Sequence, residues 1–127
     1  MSEPKIVAIV DDDASVRRSL LRVVETAGYR GEMFASARDF LAWMAHGQAA
    51  CLILDVHMDD LNGFDLHDRL RVPVVFITGH DDAVTLDRIA KSRAAGHLRK
   101  PFERALVLDA IRQVVGPPAP STGTKGV

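Results

Sequence analysis

The sequence predicts a doubly wound α/β fold, with five parallel strands in the order 2-1-3-4-5 between two layers of helices. Three observations lead there. Five short strand-like runs alternate with five segments of helical periodicity, the pattern of repeated βαβ units whose crossovers cover both faces of a parallel sheet. At 127 residues, 47% hydrophobic and 26% charged, the chain can close one core. The acids, threonine and lysine able to carry chemistry also follow directly on the apolar runs, at the carboxyl ends of strands, where such sheets bind ligands beside the switch point of strands 1 and 3. Residues 1–116 are expected to form one domain and 117–127 a flexible tail rich in Pro, Gly, Ser and Thr.

The first run, residues 6–10, is too short for an ordinary helix and ends abruptly at Asp11, Asp12 and Asp13, so it reads as a buried strand. From Ala14, apolar Val16, Leu20, Val23, Val24 and Ala27 recur at helical spacing until Gly28 supplies a stop. Asp13 is placed to cap that helix rather than to hold a ligand. Residues 31–34 form a second strand, and Ser36 caps a helix that carries Phe40, Leu41, Trp43 and Met44 and ends near His46 and Gly47. Residues 51–54 are a third strand running into Asp55. A loop through Asn62 and Gly63 leads to a short helix over about 64–70.

Residues 74–77 are the fourth strand, closed by Thr78 and Gly79, and Asp81 or Asp82 caps a helix reaching about Ala95. A weak fifth strand covers 97–99. Pro101 breaks the ladder, and the last helix takes Ala105, Leu106, Leu108, Ile111 and Val115 as its apolar face.

Composition excludes several functions. A formal net charge of −1 with scattered cations lacks the basic footprint of a direct nucleic-acid binder. No apolar stretch approaches the roughly 20 residues of a membrane span, and no signal peptide opens the chain, so a cytoplasmic protein is expected. The single cysteine, Cys51, lies in an apolar run and is read as core.

The strand ends gather Asp11 and Asp12 after the first strand, Asp55 after the third, Thr78 after the fourth and Lys100 after the fifth. Carboxylates about 4 Å apart repel by about 4 kcal/mol at an effective dielectric near 20, so clustered acids take up protons or bind a cation. Oxygen ligands without an evident histidine or thiolate favour Mg²⁺, with Mn²⁺ as the alternative. Phosphoryl transfer needs a nucleophile, a cation and donors for three equatorial oxygens, and Asp55, the metal, Lys100 and the Thr78 hydroxyl supply them.

The runs IVDDD, LILDVHMDDLNG, VVFITGH and LRKPF, in that order and strand context, resemble the receiver domain of CheY-like two-component response regulators across residues 5–115. That resemblance implies a non-enzymatic phosphoacceptor, phosphorylated on Asp55, with Asp11 and Asp12 as the acidic pair. It further implies Thr78 and Lys100 as switch residues, a metal held by Asp12, Asp55 and the backbone carbonyl of His57, and a cis Lys100-Pro101 bond. The implied partners are a sensor histidine kinase or histidine phosphotransfer protein. The signal would pass through the face of the fourth helix, fifth strand and last helix, to another protein or by self-association on phosphorylation.

Some residues depart from that pattern. Asp59 stands where the family has proline, Asp60 follows, and the stretch from Asp55 to Thr78 is several residues short. His97 stands at the usual aromatic switch position, and His57 and His80, two residues beyond Asp55 and Thr78, occupy positions that flank the phosphorylation site and influence acyl-phosphate lifetime in the family. Two alternatives compete. A haloacid-dehalogenase-type phosphatase uses similar groups, but Val56 and His57 follow Asp55 instead of that family's second acid. A pseudo-receiver that only binds partners would have lost the acidic pair, acceptor or lysine.

Overall fold

The computed structural model describes residues 5–57, 66, 70–79, 83–92 and 94–118. Along the chain run β1 (Ile6–Val10), α1 (Ala14–Thr26), β2 (Arg30–Phe34), α2 (Ala37–Met44), β3 (Cys51–Asp55), β4 (Val74–Thr78), α3 (Ala83–Lys91), β5 (Gly96–Arg99) and α4 (Arg104–Val115). The strands form one parallel sheet ordered β2-β1-β3-β4-β5, as expected. The short helix expected over 64–70 lies largely outside the described residues. Leu66, within it, is helical and fully buried.

Strand periodicity of two divides the core into two layers. On one face Val7, Ile9, Cys51, Ile53, Val75 and Ile77 pack with Leu20, Val23 and Val24 of α1 and with Val107 and Ile111 of α4. On the other, Ala8, Val10, Leu52, Leu54 and Phe76 pack with Phe40 of α2, Leu66 and Ile89 of α3. β3 and β4 are buried along their whole length, which explains their unbroken apolar sequence. Each fully buried Leu, Ile or Phe contributes about 1.5–3 kcal/mol to these two layers. Cys51 is core, and burial pushes its thiol up to about 12.

Local signals fix the ends of the helices. Asp13 Oδ1 accepts from the backbone N–H groups of Ser15 at 2.8 Å and Val16 at 3.3 Å, so it caps α1 as expected. Ser36 Oγ does the same for α2 from Asp39 N–H at 3.0 Å. Gly28 follows α1 at φ 100°, and a Cβ there would also stand 3.2 Å from Pro118. At the end of α4, the Lys5 ammonium donates to the carbonyls of Val115 and Pro117, while the Tyr29 hydroxyl donates to Gly116 O at 2.8 Å. A cation there also suits the helix dipole.

Two helix expectations require correction. The last helix buries Val107 and Ile111, with Leu108, Ala110, Val114 and Val115 around them. Ala105 is exposed and Leu106 is 54% exposed, so neither belongs to the core face. Four consecutive apolar residues, 105–108, fit more than one helical phase, and Val107 lies one turn from Ile111 while Leu106 is rotated about 100° from it. α3 stops at Lys91, short of Ala95. There Ser92 Oγ donates to Ile89 O at 2.6 Å and accepts from Ala94 N–H at 3.3 Å, turning the chain out of the helix.

Candidate functional site

The parallel register brings the ends of four strands to one edge. Val10 pairs with Leu54, Asp55 with Ile77, and Thr78 with Arg99, so Asp11, Asp55, Thr78 and Lys100 emerge at nearly one level. Asp11 is fully buried, Asp55 is 4% and Thr78 1% exposed, whereas Asp12 is exposed. Carboxylate oxygens of Asp11, Asp12 and Asp55 all lie within 4.8 Å of one another. The Lys100 ammonium stands 3.0 Å from Asp11 Oδ2 and 3.3 Å from Asp55 Oδ2. The Lys100-Pro101 bond that follows is cis.

The loop after β1 is organised from within. Asp13 N–H donates to Asp11 Oδ1 at 2.9 Å, Asp11 N–H to Phe34 O at 3.3 Å, and Arg17 Nη1 to the Asp11 carbonyl at 2.8 Å. On the other strand, His57 N–H donates to Asp55 Oδ1 at 3.0 Å. His57 itself is exposed at the rim. A cavity of about 540 Å³ opens beside Lys100, lined by Ser15, Val16, Ser19, Gly79 and Phe102 among others.

Burial raises the Asp55 carboxyl above the usual carboxylate range, and Asp11 raises it further; the His57 N–H and Lys100 pull the other way. For Lys100, burial would depress the ammonium, but Asp11 and Asp55 outweigh it and hold its pKa above the ordinary value. Three carboxylates against one ammonium leave a formal charge of −2, and two of the acids at 4.8 Å or less repel by at least about 3.5 kcal/mol at an effective dielectric of 20. Asp11 Oδ2 is buried without an aligned hydrogen-bond donor among the described residues, so its 3.0 Å contact with Lys100 is an ion pair. An all-oxygen donor set with excess negative charge and an under-satisfied buried oxygen fits a hard divalent cation.

Every site residue singled out in the sequence, Asp11, Asp12, Asp55, His57, Thr78 and Lys100, therefore lies at one edge. His97 sits half-buried in β5, in register with Phe76, away from that cluster. Asp59, Asp60 and His80 lie outside the described residues. Arg17 was missed. Its signal was its place one turn after the Asp13 cap, from which a long cation can reach back to the loop it follows.

A family model described as the response regulator receiver domain matches residues 7–112. Nodulation protein W of Bradyrhizobium diazoefficiens is 37% identical over 115 residues, 87% of this chain and 51% of that protein. The transcriptional regulatory protein FixJ of Rhizobium meliloti is 33% identical over 84% of this chain and 55% of its own length. The chain thus spans about half the length of these curated relatives. Among solved structures, a response regulator receiver protein from Burkholderia phymatum superposes with a TM-score of 0.81 at 36% identity, covering 92% of this chain and 99% of that one.

Proposed function

This chain belongs to the response regulator receiver family of two-component systems, and from that premise we propose that it accepts a phosphoryl group on Asp55 in a Mg²⁺-dependent reaction. The observation that carries the proposal is the buried Asp55 carboxylate, set within 4.8 Å of two further acids and 3.3 Å from the Lys100 ammonium. Mg²⁺, or Mn²⁺ in its place, held by Asp12, Asp55 and the His57 carbonyl beside Asp11, would neutralise charge on the acids and on the incoming phosphoryl oxygens.

The remaining chemistry belongs to the chain. An Asp55 oxygen attacks phosphorus, an O–P bond forms, and the P–N bond to the donor's imidazole breaks, leaving an acyl phosphate. Lys100, already drawn toward Asp55, supplies a point charge for one phosphoryl oxygen, and the Thr78 hydroxyl donates to another. The His57 N–H on Asp55 Oδ1 orients the carboxylate so that Oδ1 and Oδ2 play different parts. His57 and His80, two residues beyond Asp55 and Thr78 in the sequence, tune the lifetime of the acyl phosphate.

The donor is a sensor histidine kinase or a histidine phosphotransfer protein in the cytoplasm. Movement of Thr78 toward the phosphoryl group shifts the balance of conformations across α3, β5 and α4, the face through which a downstream protein or a second copy reads the signal. Among the described residues no helix is long and apolar enough to cross a membrane.

Intact-protein mass spectrometry after incubation with acetyl phosphate tests the proposal. A phosphate-sized gain that needs Mg²⁺ and vanishes in Asp55→Ala is expected. A folded wild type that gains nothing would make the acidic pocket a partner-binding feature instead.

A further inference from the structure

We infer that Arg17 is a positioning residue for the cation site, holding the β1–α1 loop in its metal-ready shape through the Asp11 main chain. The inference rests on the Mg²⁺-dependent reading of the site given above. Its starting point is the choice of partner: Arg17 Nη1 donates to the Asp11 carbonyl at 2.8 Å, not to a carboxylate. Every carboxylate oxygen of the three clustered acids is thereby left to other partners.

The loop needs such a restraint. Asp11, Asp12 and Asp55 hold oxygens within 4.8 Å of one another, and like charges at that spacing push the loop away from β3. Asp55 is fixed in β3, and Asp11 is fixed by burial, by its N–H to Phe34 O and by the Asp13 N–H on its Oδ1. Asp12 alone is exposed, so its position follows the peptide between its neighbours. That peptide begins at the Asp11 carbonyl. Arg17 ties it to the first turn of α1, where Arg17 N–H also donates to Asp13 O at 3.0 Å. A guanidinium with several donors in a rigid fork suits this better than a mobile ammonium.

Charge and positioning make opposite forecasts. If Arg17 acted only as a cation near the site, its removal would tighten binding of a divalent ion. If it positions the loop, removal weakens binding, as loss of groups that orient metal ligands typically does, by roughly tenfold or more.

The test is Mn²⁺ binding by the full chain, read from the electron paramagnetic resonance of free Mn²⁺ and displaced by Mg²⁺. Wild type, Arg17→Met, Arg17→Lys and Asp12→Ala are compared, with circular dichroism confirming that each is folded. The expected result is about tenfold weaker binding in Arg17→Met, partial recovery in Arg17→Lys, and loss in Asp12→Ala. In phosphorylation by acetyl phosphate, Arg17→Met should need more Mg²⁺ for half-maximal rate yet reach the wild-type plateau. Unchanged or tighter Mn²⁺ binding in a folded Arg17→Met overturns the inference. Failure of the wild type itself to bind Mn²⁺ or Mg²⁺ overturns the reading beneath it, a separate outcome.

Discussion

Replacing Lys100 by Met removes the ammonium while keeping most of the apolar stem, and its effect can be worked out from the distances. Ion pairs at 3.0 Å to Asp11 and 3.3 Å to Asp55 have Coulomb energies of about 5.5 and 5 kcal/mol at an effective dielectric of 20. Most of that is offset by the cost of drying the ammonium, and breaking a buried pair nets about 3–5 kcal/mol. Proton uptake limits the damage. A carboxyl with an unfolded pKa near 3.9 can be held protonated at pH 7 for about 4 kcal/mol, so the loss cannot much exceed that value.

The ceiling drops by about 1.4 kcal/mol per pH unit, reaching about 1.5 kcal/mol at pH 5. Asp55 is already raised by burial and by Asp11, and the variant takes away the lowering effect of Lys100, so stability is lost as pH rises and the variant most nearly matches wild type in acid. Lys100 itself, also raised, contributes throughout this window, because its contribution disappears only as pH climbs past the usual lysine range. Urea unfolding at both pH values, with and without Mg²⁺, reads the effect. The expected loss is about 3–4 kcal/mol at pH 7 and about 1.5 or less at pH 5. Mg²⁺ at a hundred times its dissociation constant should restore about 2.7 kcal/mol. A loss of equal size at both pH values and indifferent to Mg²⁺ would refute the electrostatic account of the pocket.

Asp13→Ala should cost about 1 kcal/mol in urea unfolding, because the Ser15 and Val16 N–H groups lose their acceptor; no loss would mean that the cap is redundant. Ile111→Ala should cost about 2–5 kcal/mol and Leu106→Ala less than about 0.5, and the reverse ranking would return α4 to the phase expected from sequence. Cys51, pushed up to about 12 by burial, stays a thiol in the fold, whereas an unfolded cysteine ionises near 8.5. Its contribution to stability is therefore whole below about pH 8.5 and declines above it. At pH 8 an aromatic disulfide reagent should modify it only at the rate of unfolding, and rapid labelling of the native protein would contradict its burial.

The sheet was legible because its signals are redundant. Four of the five strands run directly into a residue of the site, and the order β2-β1-β3-β4-β5 brings Asp11, Asp55, Thr78 and Lys100 to one edge. Caps at Asp13 and Ser36 and the stop at Gly28 were equally readable, since each depends on one side chain or one backbone angle. The phase of α4 was not. The run of residues 105–108 gives no polar residue to mark the solvent side, and tertiary packing against Ile77 and Leu98 decides which of them turns inward. The end of α3 depended on a serine hydroxyl competing for backbone groups, a signal too common in sequence to single out Ser92. Arg17 escaped notice for a related reason: its partner is a main-chain carbonyl, and motif reading attends to side chains.

The central claim, that Asp55 is the residue phosphorylated, is tested most directly by trapping the product. An aspartyl phosphate is reduced by borohydride to homoserine, so peptide sequencing by mass spectrometry after acetyl phosphate, Mg²⁺ and borohydride treatment reports the modified position. Homoserine at position 55, formed only when Mg²⁺ is present and in no other peptide, is the expected result. Unconverted Asp55 in folded protein, or conversion at Asp11 or Asp12 in its place, would contradict the account.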